Sequence, residues 1–304
     1  MEEQCKLTIA VITMNRKDQL IEALESCLAC RMPEDVEFVI IDNASTDGTE
    51  DAVGWFSKKY SDVKIQYELS NVNLGVGGGR SLAFERALGE YVYFLDDDAV
   101  ISEESRDCFF VDALDFMEKN KNIASITTRI YDEMLVSDRG VDISSKSKID
   151  GLPVVFKFLG GSHFLRRKCF EKPLYFDVQY GSEEYAPSIK AQSAGYFHVY
   201  DEHIYVVHKP KVNKWIKGTA NKEYVDSCGC AVTYATKRLL YPNLFIPLLW
   251  AGYTRRCRKY LSMYPGAKKK TDARVKEILK QNHAKKISVA CVIRLVKEFG
   301  LTVL

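Results

Sequence analysis

Apolar residues in the first hundred positions follow two alternating periods. Leu7 to Met14 is an aliphatic, β-branched run that stops at polar Asn15 and Arg16, the pattern of a buried strand. Asp18 to Cys30 then places Leu20, Ile21, Leu24, Cys27 and Leu28 on one helical face. Val36 to Ile41 reads as a second strand, ending at Asp42. Ser45-Thr46-Asp47-Gly48 supplies turn and N-cap chemistry for a helix that runs to Tyr60. Val63 to Leu69 is a third strand, and Gly77-Gly78-Gly79 is expected to open a helix over Arg80 to Leu88. Tyr91 to Leu95 is a fourth strand and runs straight into Asp96-Asp97-Asp98. Strands alternating with helices in this way predict an α/β fold, a mainly parallel sheet with helices on both faces.

The second half is less regular. Ile123 to Tyr131 and Leu152 to Leu159 read as strands, Glu183 to Ala194 as a helix, and Phe197 to His208 as a long strand or a strand pair. From Thr219 the pattern is helical and basic, broken by Pro242, Pro247, Pro265 and Gly266. The expected division is an α/β unit over residues 1–218 and a helical region over residues 219–304.

Composition is that of an ordinary globular chain, 46% hydrophobic and 28% charged over 304 residues. The net charge of +2 conceals a split. Residues 237–304 hold 16 Lys and Arg against 3 Asp and Glu, while the remaining 236 residues hold 27 against 38. A basic tail on an acidic body has three readings: it meets an anionic membrane surface, it meets an acidic partner, or it packs as a basic subdomain on the body. Nucleic acid is disfavoured because no recognition module is visible. Within the tail, Phe245, Leu248, Leu249, Trp250 and Tyr253 precede Arg255, Arg256, Arg258 and Lys259, the makings of an interfacial amphipathic anchor. No apolar run approaches the ~20 residues that span a bilayer, and the acidic N-terminus is unlike a secretory signal. Nine scattered cysteines without such a signal suggest reduced thiols and a cytoplasmic protein, peripheral at the inner face of the membrane if the tail binds there. Cys27 and Cys30, and Cys228 and Cys230, read as small buried hydrophobes.

In open parallel sheets, ligands bind beyond the carboxyl ends of the strands. Here those ends carry Thr13 to Arg16, Asp42-Asn43, Asn71 to Arg80 and Asp96 to Asp98. Three consecutive carboxylates resist joint ionisation, and a divalent cation resolves the conflict. All-oxygen ligation suits Mn²⁺ or Mg²⁺, which bridge phosphates. The bland reading of the triplet is a solvated turn; its place after an apolar strand favours the metal. Gly75 to Gly79 is not a dinucleotide fingerprint after the first strand, but it can bring backbone N–H groups and Arg80 to a pyrophosphate.

These segments together resemble the GT-A fold glycosyltransferases of family 2. The strand followed by Thr13-Met14-Asn15-Arg16, the stretch Asp42 to Thr49, Asn71, Asn73 and Gly75 ahead of Arg80, and Gly89 to Tyr91 leading to Asp96 to Asp98 match four motifs in order. The second half matches more loosely, through Gly160-Gly161 before Arg166-Arg167, the acidic pair Glu183-Glu184, and Val206-Val207-His208.

The resemblance implies an inverting transfer of a sugar from a nucleotide-sugar donor to an acceptor hydroxyl, in cell-surface polysaccharide or glycoconjugate synthesis, with Mn²⁺ or Mg²⁺ as cofactor. Residues 1–100 would be the nucleotide-binding half and residues 101–218 the acceptor-binding half. Thr13, Asn15, Asp42 and Asn43 would hold the nucleoside, and Asn73, Gly75 and Arg80 would face the diphosphate or sugar. Asp97 would bind the ribose, Asp98 and His208 the metal, with Asp96 beside it. Glu184 would be the general base and Glu183 an acceptor-binding partner; the acceptor would be a saccharide, a lipid-linked glycan or a protein. Met14 stands where an aromatic often stacks on the base, Asn43 where many members carry aspartate, and Glu184 where aspartate is usual. A UDP- or dTDP-sugar is the favoured donor. The rivals are a sugar-phosphate nucleotidyltransferase, whose glycine-rich loop near the first strand is missing here, and a non-catalytic sugar-nucleotide binder. His163 and His203 read as structural.

Overall fold

The structure is a computed structural model that describes residues 5–212, 214 and 216–304. Its chain order begins β1 (Leu7–Thr13), α1 (Lys17–Leu28), β2 (Val36–Asp42), α2 (Thr49–Lys59), β3 (Lys64–Leu69), α3 (Gly75–Arg86) and β4 (Tyr91–Asp96). It continues with β5 (Ala99–Ile101), α4 (Phe109–Lys119), β6 (Ile123–Asp132), β7 (Ser137–Asp138), β8 (Lys148–Ile149), β9 (Leu152–Val155), β10 (Ser162–Arg166), α5 (Tyr185–Ser193) and β11 (Phe197–His208). Four helices close it: α6 (Ala220–Leu240), α7 (Ile246–Leu261), α8 (Ala267–Gln281) and α9 (Val289–Phe299).

The main sheet runs β3-β2-β1-β4-β10-β6-β11-β9-β8. Its first four strands are parallel, β10 is antiparallel to both neighbours, and β11 is parallel to β6. Side chains alternate across the sheet as strand geometry demands. Leu7, Ile9 and Val11 of β1 face a core with Leu20 and Leu24 of α1, Phe56 of α2 and Phe109 and Phe110 of α4. Ala10 faces the other way, toward Ala83 and Phe84 of α3. The sheet is therefore covered on both sides, as the alternating pattern requires.

Four local expectations need correction. The glycines at 77–79 lie inside α3, which starts at Gly75. A Cβ at Gly77 would sit 3.1 Å from the Val178 carbonyl, so their smallness serves close packing. The strand expected over 152–159 stops at Val155. Helix α4, whose buried face is Phe109, Phe110, Ala113, Leu114 and Met117, was not foreseen. The helix expected from Glu183 starts at Tyr185, leaving both glutamates in the approach to it.

The basic tail folds onto the body. Cys230, Ala231, Ala235, Leu249, Tyr253 and Cys257 belong to the same continuous core as the sheet. Of the five apolar residues read as an anchor, Phe245, Leu249 and Tyr253 are buried, because spacing of four turns them inward along α7 and the turn that precedes it. Leu248 and Trp250 remain about half exposed, at 54% and 51%. No helix among the described residues is long and apolar enough to cross a membrane.

Candidate active site

Register decides what meets at the sheet's carboxyl edge. Thr13 pairs with Asp42 and Ile12 with Asp96, so β1, β2 and β4 end at one level. The chain turns at Asp97-Asp98 into β5, where Ala99 pairs with His208 of β11, and His208 also pairs with Asp132 of β6. The Asp98 carbonyl accepts the Lys209 N–H at 2.7 Å. A histidine 110 positions downstream is thereby fixed beside the acidic triplet.

The resulting cavity has a volume of about 760 Å³. Thr13, Asn43, Asn73, Gly75, Arg80, Asp96, Asp97, Asp98, Glu183, Glu184 and His208 all line it. Asn15 and Asp42 do not. Asn15, at φ 54°, accepts the Thr46 N–H at 2.8 Å. Asp42 accepts the Ser45 N–H at 2.7 Å and the Tyr67 hydroxyl at 2.8 Å. Both shape the loop that carries Asn43 instead of facing the cavity. Arg166 and Arg167 also stay out: Arg166 is fully buried and donates to the Ile123 carbonyl at 3.0 Å and Tyr91 Oη at 2.7 Å.

Asp96, Asp98 and His208 offer two carboxylate oxygens and an imidazole nitrogen, all within 4.8 Å of one another. His208 donates from Nδ1 to Asp132 Oδ2 at 2.9 Å, and the Nε2 lone pair then faces Asp98 Oδ1 at 3.1 Å. Two acceptors side by side are an arrangement that a cation resolves, and carboxylate oxygens with one imidazole nitrogen fit a divalent ion such as Mn²⁺. Guanidinium groups supply positive charge around the cluster. Arg139 Nη2 lies 2.7 Å from His208 Nε2, and Arg16 Nη1 bridges Asp97 and Asp98 at 2.7 Å each. The sequence placed Arg16 at this edge without a role of its own, and it missed Asp132 and Arg139. Asp132 ends a strand at the ligand-binding edge, so the strand-end rule could have found it; Arg139, in a loop, carried no such signal.

Burial alone would raise the Asp96 carboxyl, but Arg80, with Arg139, holds it below the usual carboxylate range. Burial likewise opposes ionisation of Asp98, and Arg16 and Arg139 help to hold that group below the usual carboxylate range. Asp97 responds differently: burial, with Asp98 beside it, pushes its carboxyl up to about 6 although Arg16 opposes this. The Thr13 hydroxyl donates to its Oδ2 at 2.8 Å.

Arg80, 4% exposed, joins the two halves of the site. Its Nη2 donates to Asp96 Oδ1 at 2.7 Å and its Nη1 to Glu183 Oε1 at 2.9 Å, while Glu184 Oε1 stands 3.7 Å away. Glu183 Oε2 is buried without a hydrogen-bond partner. Burial and the neighbouring Glu184 push the Glu183 carboxyl up to about 7, against the pull of Arg80. Gly160 leaves room for this cluster, since a Cβ there would overlap Glu184 Oε1. His163 is fully buried, stacked on Phe94 with centroids 5.2 Å apart, and remains structural.

Solved structures share this architecture. The chain superposes on Staphylococcus aureus TarS, residues 1–349 in complex with UDP-GlcNAc, with a TM-score of 0.62 at 16% identity, covering 98% of this chain and 89% of that one. A mannosyltransferase from Pyrobaculum calidifontis, in complex with GDP-Man and Mn²⁺, gives 0.61 at 17% identity over 100% and 82%. The fold is thus that of the GT-A glycosyltransferases. Residues 8–172 match the family profile of Glycosyl transferase family 2, and the chain belongs to that family. Among curated relatives, the poly(ribitol-phosphate) beta-glucosyltransferase of Bacillus spizizenii is 35% identical over 101 residues, 33% of this chain and 16% of that protein. The GalNAc(5)-diNAcBac-PP-undecaprenol beta-1,3-glucosyltransferase of Campylobacter jejuni is 35% identical over 94 residues, 31% of this chain and 29% of that protein. The chain matches under a third of the length of both relatives.

Proposed function

We propose that the protein transfers a sugar, with inversion, from a UDP- or dTDP-sugar to an acceptor hydroxyl during synthesis of cell-surface polysaccharide or glycoconjugate. One observation carries this reading: a metal-competent group, Asp96, Asp98 and His208, shares a cavity with the carboxylates Glu183 and Glu184, and Arg80 links the two. The named activities of the curated relatives support the cell-surface setting.

Asn43 offers a buried Oδ1 without a partner at the cavity wall, suited to the imide N–H of uracil or thymine. Thr13 and Asp97 are placed for the ribose, with Asn15 and Asp42 acting by bracing the loop that carries Asn43. Arg80, behind Asn73 and Gly75, faces the donor's sugar side. Mn²⁺ or Mg²⁺ at Asp96, Asp98 and His208 would neutralise the diphosphate that departs. Glu183 is clamped by Arg80, whereas Glu184 lies further from that charge, so Glu184 is the better placed to remove the acceptor proton. The basic tail, with Leu248 and Trp250 outward, suits work at the inner face of a membrane.

The deciding experiment is a screen of UDP-, dTDP- and GDP-sugars for hydrolysis and transfer, with and without Mn²⁺. Turnover of a uridine or thymidine donor only with a divalent ion is expected. Metal-independent turnover, or binding of every nucleotide without turnover, would reject the proposal in favour of a different mechanism or a binding protein.

A further inference from the structure

The cavity has two chemically different parts. In the inner part, every guanidinium has a carboxylate near it: Arg16 beside Asp97 and Asp98, Arg80 beside Asp96 and Glu183, and Arg139 3.6 Å from Asp132. The outer part is built by α6, α7 and the segment after β11, and it contributes Lys214, Lys222 and Arg256. Lys222 is paired with Asp226, which lines the same wall. Among the described residues, neither Lys214 nor Arg256 has a carboxylate within ion-pair distance.

Aromatic faces accompany these cations. Tyr180 and Tyr224 lie with centroids 5.9 Å apart, and Lys214 Nζ stands 5.3 Å over the Tyr180 ring. A neutral sugar could use the rings and accept hydrogen bonds from the cations, but it would leave their charge unneutralised. A phosphate would gain charge-assisted hydrogen bonds in a partly enclosed space, where such contacts are stronger than in water.

We propose that the outer part of the cavity binds a phosphate carried by the acceptor, so that the natural acceptor is a phosphate-bearing glycan, polyol or lipid-linked sugar and not a neutral saccharide. This rests on the transfer reading above, because the donor is taken to fill the inner part.

The test is calorimetry on the full chain preloaded with UDP and Mn²⁺. The probes are a short polyol-phosphate oligomer, a saccharide linked to a short prenyl diphosphate, and the neutral polyol and methyl glycoside counterparts. At least one phosphate-bearing probe should bind ~10-fold or more tightly than its neutral counterpart, and more weakly as KCl rises. Whichever probe shows the preference identifies the source of the phosphate. Arg256→Glu and Lys214→Glu, checked for native circular dichroism, should each abolish the preference. Equal binding of charged and neutral probes, or no binding of the charged ones, overturns the proposal. So does a loss of UDP affinity in Arg256→Glu, which would assign the cations to the donor. Failure of the wild-type protein to bind UDP would instead strike the donor reading.

Discussion

Arg80 of α3 donates to Glu183, 103 positions away, at 2.9 Å, and the same guanidinium holds Asp96 at 2.7 Å. One buried cation therefore ties the Asp96 side of the cavity to the Glu183 side. Removing it leaves buried Glu183 with no counter-charge and Asp96 with Arg139 alone, so Arg80→Ala is expected to cost about 3–5 kcal/mol of stability in urea unfolding. Arg80→Lys keeps a charge without the planar fork and should lose most transfer while losing less stability. Equal stability of the Ala variant and the wild type would show that the bridge carries no weight.

Asp132 is expected to act through His208. Asp98→Ala should remove nearly all transfer with the fold intact. Asp132→Asn should retain some transfer but weaken Mn²⁺ binding about 10–100-fold, because the imidazole loses the partner that orients it. Transfer assays measure the first, and titration of Mn²⁺ followed by paramagnetic resonance measures the second. An unchanged Mn²⁺ affinity in Asp132→Asn would detach Asp132 from the site.

Two glycines make a matched pair. A Cβ at Gly160 would meet only the ends of flexible side chains, Glu184 and Arg80. One at Gly89 would meet the Thr8 backbone nitrogen at 2.5 Å. Gly160→Ala should therefore lower kcat roughly 100-fold through misplaced groups, with little change in Tm. Gly89→Ala should instead cost about 1–3 kcal/mol of stability, as overpacking does. Thermal melts and single-turnover rates distinguish the two, and the reverse ranking would contradict the packing described.

Stability should carry a signature of Glu183. Its carboxyl is pushed up from 4.5 to about 7 by burial and by Glu184. The native state thus keeps a proton that the unfolded chain has already released, and this contribution to stability falls as pH rises from about 4.5 to about 7. Glu183→Gln removes the dependence while an amide oxygen still accepts from Arg80. Its Tm relative to wild type should climb between pH 5 and pH 8 and level off above, as read by scanning calorimetry at each pH. A difference that stays flat across this range would mean that Glu183 is ionised throughout.

The surface of α7 and the turn before it exposes Leu244, Leu248 and Trp250, and the same helix exposes Arg255, Arg258 and Lys259. Flotation with vesicles containing anionic lipid should carry the protein upward at low salt, and Leu248→Glu with Trp250→Glu should abolish this without altering donor hydrolysis. Retention at the bottom of the gradient at every salt concentration would leave the tail as packing alone.

Strand and helix periods in residues 7–96, the parallel sheet and the polar strand ends were legible in the sequence, because alternation and helical spacing are local properties of the chain. So was the acidic triplet, since three carboxylates after an apolar strand are conspicuous wherever they fold. Tertiary structure alone decided which of those polar residues face the cavity. Asn15 and Asp42 match a motif, yet hydrogen bonds to Thr46, Ser45 and Tyr67 turn them to holding a loop. It also decided that Asp132 stands behind His208, because register between β6 and β11 brings the two together and no local pattern encodes it. The packing of the tail was decided in the same way. Its charge reads equally as a membrane surface or a packed subdomain, and only the burial of Phe245, Leu249 and Tyr253 against the body shows how much of its apolar surface is already spent on folding.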